Sequence, residues 1–391
     1  MLLQLVFASN AMAGETAAGW QPRAVKHDWL QLTSGEWLSG KIHSMYSEEL
    51  EFDSEKLDLL SIDWEDVKSL QSHQFFHVLV AGPDDQKPKK DTKSGGIFTG
   101  RLTHKLTGNL REKTGANADM QTGLLHISGE RVTVTNGEQV ATFNRDDIIS
   151  FAPAGQREVD LWVVKIGLGL NFQSGNVRQI DYTAKASAKR RTATTRFFAD
   201  YIGNLSQTNT ISGSSEKTIN NHRVTSALDV YANRYFFYTP INAEYYRDPF
   251  RNIDQRITVG AGLGFILRDT KKLKWEVSAG PSFLRTTYLS VQPGRNSTES
   301  SLALMLGTKV DAELSSKLDF LFNYDIKASK NKSGGYSHHM IATFENEMTR
   351  RIDLDVSLMW DRINHPTVDS QGILPKPDDY RVVMGLKYAF D

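Results

Sequence analysis

Few residues of this chain have the types and spacing that hydrolytic chemistry needs. Ser337, His338 and His339 adjoin one another, and a serine nucleophile activated by histidine draws on those types. Adjacent histidines on a strand point to opposite faces, which argues against a built dyad. Asp361 and His365 have the types of an aspartate–histidine pair, yet His365 precedes Pro366 in a long polar segment where nothing fixes it. Glu49, Glu51, Asp53 and Glu55 alternate and would share one strand face, where a divalent cation could sit. A solvated charged face is the plainer reading, because no Asx/Gly loop of calcium-binding spacing accompanies them. Cysteine is absent from the 391 residues, which excludes disulfides, thiolate metal sites and cysteine nucleophiles. No phosphate loop, metal-binding helix motif or dinucleotide fingerprint occurs. The expectation is a chain that is not an enzyme and takes no cofactor.

The elements that carry these residues alternate with period two from about Asp160 onward. Trp162, Val164, Ile166, Leu168, Leu170 and Phe172 oppose polar or glycine positions, as do Leu318, Phe320, Phe322, Tyr324 and Ile326. Ile352, Leu354, Val356, Leu358 and Trp360 repeat the pattern against Asp353, Asp355, Ser357 and Asp361. Alternation of this kind means strands with one apolar and one polar face. The segments number about twelve, at roughly 10–14 residues each, the length a tilted membrane strand needs. Tight turns near Arg191, Asn233, Thr270, Ser315 and Arg350 alternate with longer loops, the pattern of an outer-membrane barrel. The predicted fold is all-β: an antiparallel transmembrane barrel of about twelve strands over 158–391, preceded by a small periplasmic β-domain. Pro240 and Pro281 fall inside predicted strands, so a bulge or strand end is expected at each.

If the apolar residues face lipid, parity names the inward ones. Hairpin geometry at Arg350 sets Glu347 opposite Asp353 and Glu345 opposite Asp355, with Asp311, Glu313 and Asp319 beside them. Like charges facing each other destabilise a sheet unless compensated. Lys185, Lys189 and Arg191, with Arg196, supply the opposite sign at similar height, and Lys387 and Lys309 flank the acidic wall. These residues form a candidate lumen constriction with two readings. Basic and acidic walls face each other across water and filter solutes, or they meet in salt bridges and close the barrel.

The segment Gly167-Leu168-Gly169-Leu170-Asn171-Phe172-Gln173-Ser174-Gly175-Asn176 resembles the opening motif of domain-of-unknown-function family 481 (DUF481), which includes outer-membrane proteins described as salt-induced. The resemblance spans roughly 159–391 and implies a barrel fold and a bacterial outer-membrane location, with no established activity. The end of the chain, with Gly385, Tyr388 and Phe390, is similar to the C-terminal signal read by the barrel-assembly machinery.

Ahead of the barrel, Glu36–Ile42 echoes Gly96–Leu102, and Ile62–Leu70 echoes Phe143–Phe151 with one residue of slack. Short strands at Leu50–Phe52 and Val132–Val134 lie between the anchors. The pattern resembles two small Sm-like or SH3-like barrels over 28–82 and 96–153, joined by a polar linker at 83–95, with an insertion near Asn109–Thr122 in the second. Between Asp28 and Ser72 stand 11 acidic residues against 3 basic ones, the wrong sign for phosphate, so nucleic acid is rejected as a partner. Lys87–Lys113 reverses the sign, with 8 basic and 2 acidic residues, as a flexible linker or a contact to anionic lipid would. Residues 1–13 end in Ala11-Met12-Ala13 after an apolar run, the pattern of a cleaved secretory signal peptide. The functional expectation is a non-catalytic role in envelope maintenance or stress adaptation, with narrow small-solute permeation. A genuine diffusion pore is the rival class and a surface hydrolase the weaker one. Outer-membrane lipid, the assembly machinery and an envelope protein bound by the N-terminal repeats are the expected partners.

Overall fold

The computed structural model describes residues 26–46, 48–54, 56–82, 119–173, 178–209, 215–270, 272–315, 317–330, 334–349 and 351–390. The signal peptide, the linker, the basic stretch and the Gly96–Leu102 echo lie outside these residues.

Nine strands build the N-terminal domain: β1 (Asp28–Leu32), β2 (Trp37–Tyr46), β3 (Glu49–Ser54), β4 (Asp58–Asp63), β5 (Val67–Val80), β6 (Asp119–Ser128), β7 (Arg131–Asn136), β8 (Gln139–Asn144) and β9 (Ile148–Pro153). Their order is β4-β3-β2-β1-β5-β6-β7-β8, and β9 pairs with both β2 and β5. The circuit β2-β1-β5-β9 therefore closes on itself as a small barrel. Two separate barrels were expected. Among the described residues the copies instead share one sheet and one core, because β5 of the first copy pairs with β6 and β9 of the second.

The core explains the sharing. Phe76 comes from the first copy and Phe151 from the second, and their rings meet edge to face at 5.7 Å, with Trp64 on Phe151 at 5.6 Å. Neither copy alone presents enough apolar surface to bury itself, so each completes the other. The internal repeat is visible in the 3-10 turns Trp64–Asp66 and Arg145–Asp147, each leading into a closing strand. They match without the residue of slack allowed above. Gly40 on β2 and Gly123 on β6 hold matching places ahead of β3 and β7, while Gly100 lies outside the described residues. A Cβ on Gly40 would lie 2.0 Å from the Asp53 carbonyl oxygen, and one on Gly123 would lie 2.5 Å from that of Thr135. Both glycines let a bent strand pass close over its neighbour. Part of the expected insertion is thus strand β6.

The remaining strands are β10 (Trp162–Gln173), β11 (Arg178–Arg191), β12 (Thr195–Asn209), β13 (Ser215–Tyr231), β14 (Phe236–Asp248), β15 (Ile253–Thr270), β16 (Leu273–Tyr288), β17 (Thr298–Ser315), β18 (Leu318–Ala328), β19 (Tyr336–Thr349), β20 (Ile352–Ile363) and β21 (Asp378–Phe390). They form one closed antiparallel barrel of 12 strands, as the alternation predicted. It closes where β10 pairs with β21, from Val164 opposite Phe390 to Leu168 opposite Leu386. All five short turns lie at the end where the chain enters and leaves. Pro240 sits in a register shift between Thr239 and Asn242, since it has no N–H to give the ladder. At Pro281 the ladder to β15 is interrupted but the register is kept, so no bulge forms there.

Candidate functional site

The outer face of the barrel is apolar and unpaired. Leu168, Leu302, Val382 and Met384 are each at least 66% exposed, a state that makes sense against lipid rather than water. Toward the long-loop end Tyr324, His338, Trp360 and Tyr380 stack on successive strands, with ring centroids 5.5–6.4 Å apart, as an interfacial aromatic row. His338 belongs to this row and bonds the Tyr324 hydroxyl through Nδ1 at 2.9 Å. His339, one residue on, faces the lumen and bonds Asp361 at 2.8 Å. The two histidines are thus divided between lipid and lumen, and the partner of Asp361 is His339 rather than His365.

Inside, the register stacks carboxylates. Glu313 lies opposite Asp319, Asp319 opposite Glu345, and Glu345 opposite Asp355, across four adjacent strands. Glu347 opposes Asp353 one step nearer the short turns. Three lysines, on β10, β11 and β21, compensate the buried part of this ladder. Lys165 reaches both Glu345 and Asp353 at 3.2 Å, Lys387 pairs with Glu345, and Lys185 pairs with Asp355. Gly385 leaves room beside them, because a Cβ there would stand 3.0 Å from Asp355 Oδ1 and press on it. Asp311, Glu313, Asp319, Glu347 and Lys189 make no ion pair among the described residues.

Other ties reach across the lumen as well as along its wall. Arg196 on β12 holds Glu276 on β16 at 2.7 Å and Asp229 on β13 at 2.8 Å. Nearer the long loops, Arg223 on β13 bridges Glu244 on β14 and Asp361 on β20, each at 2.7 Å, while Lys327 on β18 also reaches Glu244. Between these two sets of ties lies a cavity of about 440 Å³. The arrangement is a chamber with a charged partition at each end.

The short-turn mouth is covered by the N-terminal domain. The tip of the β2–β3 hairpin sets the Tyr46 ring 4.5 Å beneath the Arg191 guanidinium, and Arg191 also stacks on Tyr231 at 4.1 Å. Glu48 accepts from Arg234 at 3.1 Å, and Glu49 accepts from Lys274 at 2.8 Å. Arg234 donates further to the carbonyls of Asp146 and Ile148, at 2.6 and 2.9 Å. Ser150 donates to the Ala193 carbonyl at 2.8 Å, and Gln156 donates to that of His43 at 2.9 Å. Burial raises the Tyr46 phenol above its ordinary pKa, against the pull of Arg191, so the ring stacks as the neutral form. Next to the mouth, hydrogen bonds from Arg190 and Trp162 hold the Glu158 carboxyl below its usual range.

The model of the family described as "Protein of unknown function, DUF481" matches residues 166–390, more than half of the chain. The chain belongs to this family. No protein with a curated description matches it. Among solved structures, the NanC porin is similar at 12% identity and a TM-score of 0.35, over 58% of this chain and 98% of that one. The translocator domain of the autotransporter NalP from Neisseria meningitidis is similar at 10% identity and 0.33, over 58% and 87%. The outer membrane channel DcaP of Acinetobacter baumannii is similar at 13% identity and 0.28, over 81% and 94%.

Within this DUF481 barrel the sequence-derived residues divide into three groups, one of them being Asp311, Glu313, Asp319, Glu347 and Lys189, without an ion pair among the described residues. Lys185, Lys387, Glu345, Asp353 and Asp355 meet as one network. Arg191 and Arg196 do not compensate the acidic wall: the first stacks at the docking face, and the second ties Asp229 to Glu276. Sequence reasoning missed Arg223, Glu244, Lys327 and Arg234. The first three are inward by parity on strands with charges of both signs, a signal that was present. Arg234 lies in a turn, where parity says nothing.

Proposed function

We propose that this chain is a bacterial outer-membrane barrel for narrow small-solute permeation, held shut at its periplasmic mouth by its own N-terminal domain. The observation that carries this reading is the β2–β3 hairpin tip seated on Arg191, Arg234 and Lys274. Glu48 at that tip has a φ of 59°, a conformation costly for glutamate and tolerated where surrounding contacts enforce it. An acidic domain on a basic mouth supplies both the attraction and the register of a plug. In this reading Lys185, Lys189, Arg191, Arg196, Asp311, Glu313, Asp319, Glu345, Glu347, Asp353, Asp355 and Lys387 line the constriction. The apolar N-terminus acts as a secretory signal, Gly385, Tyr388 and Phe390 serve the assembly machinery, and the protein performs no catalysis. The N-terminal domain keeps its Sm-like character as a protein-binding module, free to meet an envelope partner when it leaves the mouth.

Single-channel recording in planar bilayers tests the proposal on the full chain. The wild type is expected to be silent, and Arg234→Ala/Lys274→Ala is expected to open steadily. Silence from both would remove the permeation reading. A second reading would then stand: a non-conducting envelope protein active in maintenance or stress adaptation. The transverse Arg196–Glu276 and Arg223–Asp361 ties favour it, since they would brace a barrel that never opens.

A further inference from the structure

Most charges that line the chamber are consumed by ion pairs. Lys165, Lys185, Arg196, Arg223, Lys327 and Lys387 each hold a carboxylate. Three lining residues are left without an ionic partner among the described residues: Lys309, Asp200 and Asp325. Lys309 crosses from β17 to rest its ammonium 3.6 Å from the centroid of the Phe198 ring on β12. Asp200 lies two residues beyond Phe198 on the same face, about 6–7 Å along the strand. An ammonium and a carboxylate are therefore presented side by side on one wall without bonding each other. Asp325 stands on β18, opposite β12 in the ring of strands.

Lys309 and Asp200 stay exposed to the lumen and Asp325 is half-buried, so each can still take an ionic partner. A ligand that completes all three gains more charge-assisted hydrogen bonds than one that completes fewer. The complement of Lys309, Asp200 and Asp325 is a carboxylate, an adjacent ammonium and a distant second cation. We propose that the chamber binds a small zwitterion carrying a second cation, the chemical class of the basic amino acids. The α-carboxylate sits on Lys309, the α-ammonium on Asp200, and the side-chain cation reaches Asp325 across the lumen. The volume of about 440 Å³ lies in the range of small-ligand sites, roughly 300–1,000 Å³. A neutral amino acid leaves Asp325 unanswered, and a diamine leaves Lys309 unanswered. The inference deepens the permeation reading and rests on it for the route by which the ligand enters.

Isothermal titration of the full chain in detergent, as wild type and as Arg234→Ala/Lys274→Ala, tests this with L-arginine, glycine and 1,4-diaminobutane. Arginine is expected to bind the opened variant at least tenfold more tightly than either comparison ligand. Asp325→Asn should reduce arginine to the level of glycine, and Lys309→Gln should weaken arginine while leaving the diamine unchanged. Asp200→Asn should weaken arginine and the diamine together. None of these three replacements strips another residue of an ion-pair partner, and heat-modifiable gel mobility verifies the barrel in each. Absence of arginine binding in the opened variant, or wild-type affinity in Asp325→Asn and Asp200→Asn, would overturn the assignment. Binding without conductance keeps the site and removes permeation. Conductance without binding keeps permeation and removes the site.

Discussion

At the scale of single residues, the buried network around Asp355 sets what a substitution does. Asp355 is 1% exposed, and the Lys185 ammonium is its ionic partner. Lys185→Met removes that partner and leaves a buried carboxylate, which should cost about 3–5 kcal/mol of barrel stability. The double replacement Lys185→Met/Asp355→Leu removes both charges and should recover most of the loss. Urea unfolding in lipid vesicles reads the two midpoints, and equal destabilisation by the single and double variants would contradict the pairing. Lys189 makes the contrasting case. It faces the mouth without an ion pair among the described residues, so Lys189→Met should leave the midpoint within about 0.5 kcal/mol of wild type.

At the scale of elements, each barrel strand does two jobs on opposite faces. β17 shows both: Leu302, Leu304 and Leu306 are exposed on the lipid side, while Lys309 and Asp311 point inward. Leu304→Arg places a charge on the lipid face and should cost about 2–4 kcal/mol if the position is near mid-membrane. The same replacement at the exposed Leu57 of the N-terminal domain should cost almost nothing, and comparing their unfolding midpoints checks the assignment of faces. The β2–β3 hairpin and the start of β9 join the two domains. Because the chain has no cysteine, Ser150→Cys/Ala193→Cys introduces a single designed pair at the seam where Ser150 now donates to the Ala193 carbonyl. Oxidation should lock the domain onto the mouth, giving a shifted non-reducing gel band that dithiothreitol reverses.

At the scale of the whole molecule, an acidic domain is held to a basic mouth by ion pairs that remain partly open to water. Glu48 and Glu49 keep 31% and 25% of their side chains exposed while bound to Arg234 and Lys274. Pairs of that kind are screened by salt, and the Debye length falls from about 10 Å at 0.1 M to about 3 Å at 1 M. Raising the salt across that range should speed amide hydrogen exchange in Tyr46–Glu49. Exchange in the core strand β5 should stay unchanged, since apolar packing is not screened. Equal acceleration in both segments would point to unfolding of the domain rather than release from the barrel.

The sequence by itself determined the barrel. Period-two alternation over twelve segments leaves one apolar face, and a membrane strand of that kind has to close because lipid satisfies no free edge. Hairpin arithmetic at Arg350 was enough to set Glu345 against Asp355 and Glu347 against Asp353, since a short turn fixes register locally. The domain pairing was less legible. Gly96–Leu102 echoes Gly40 in sequence, whereas the close approach of Gly123 to Thr135, matching that of Gly40 to Asp53, shows only in the folded strands. What tertiary structure alone decided is which charges meet across the lumen. Parity names the inward residues, but strand tilt and barrel closure determine their relative height and distance. That is why Arg196 ties Glu276 four strands away, and why Arg234, in a turn where no period operates, holds the N-terminal domain in place.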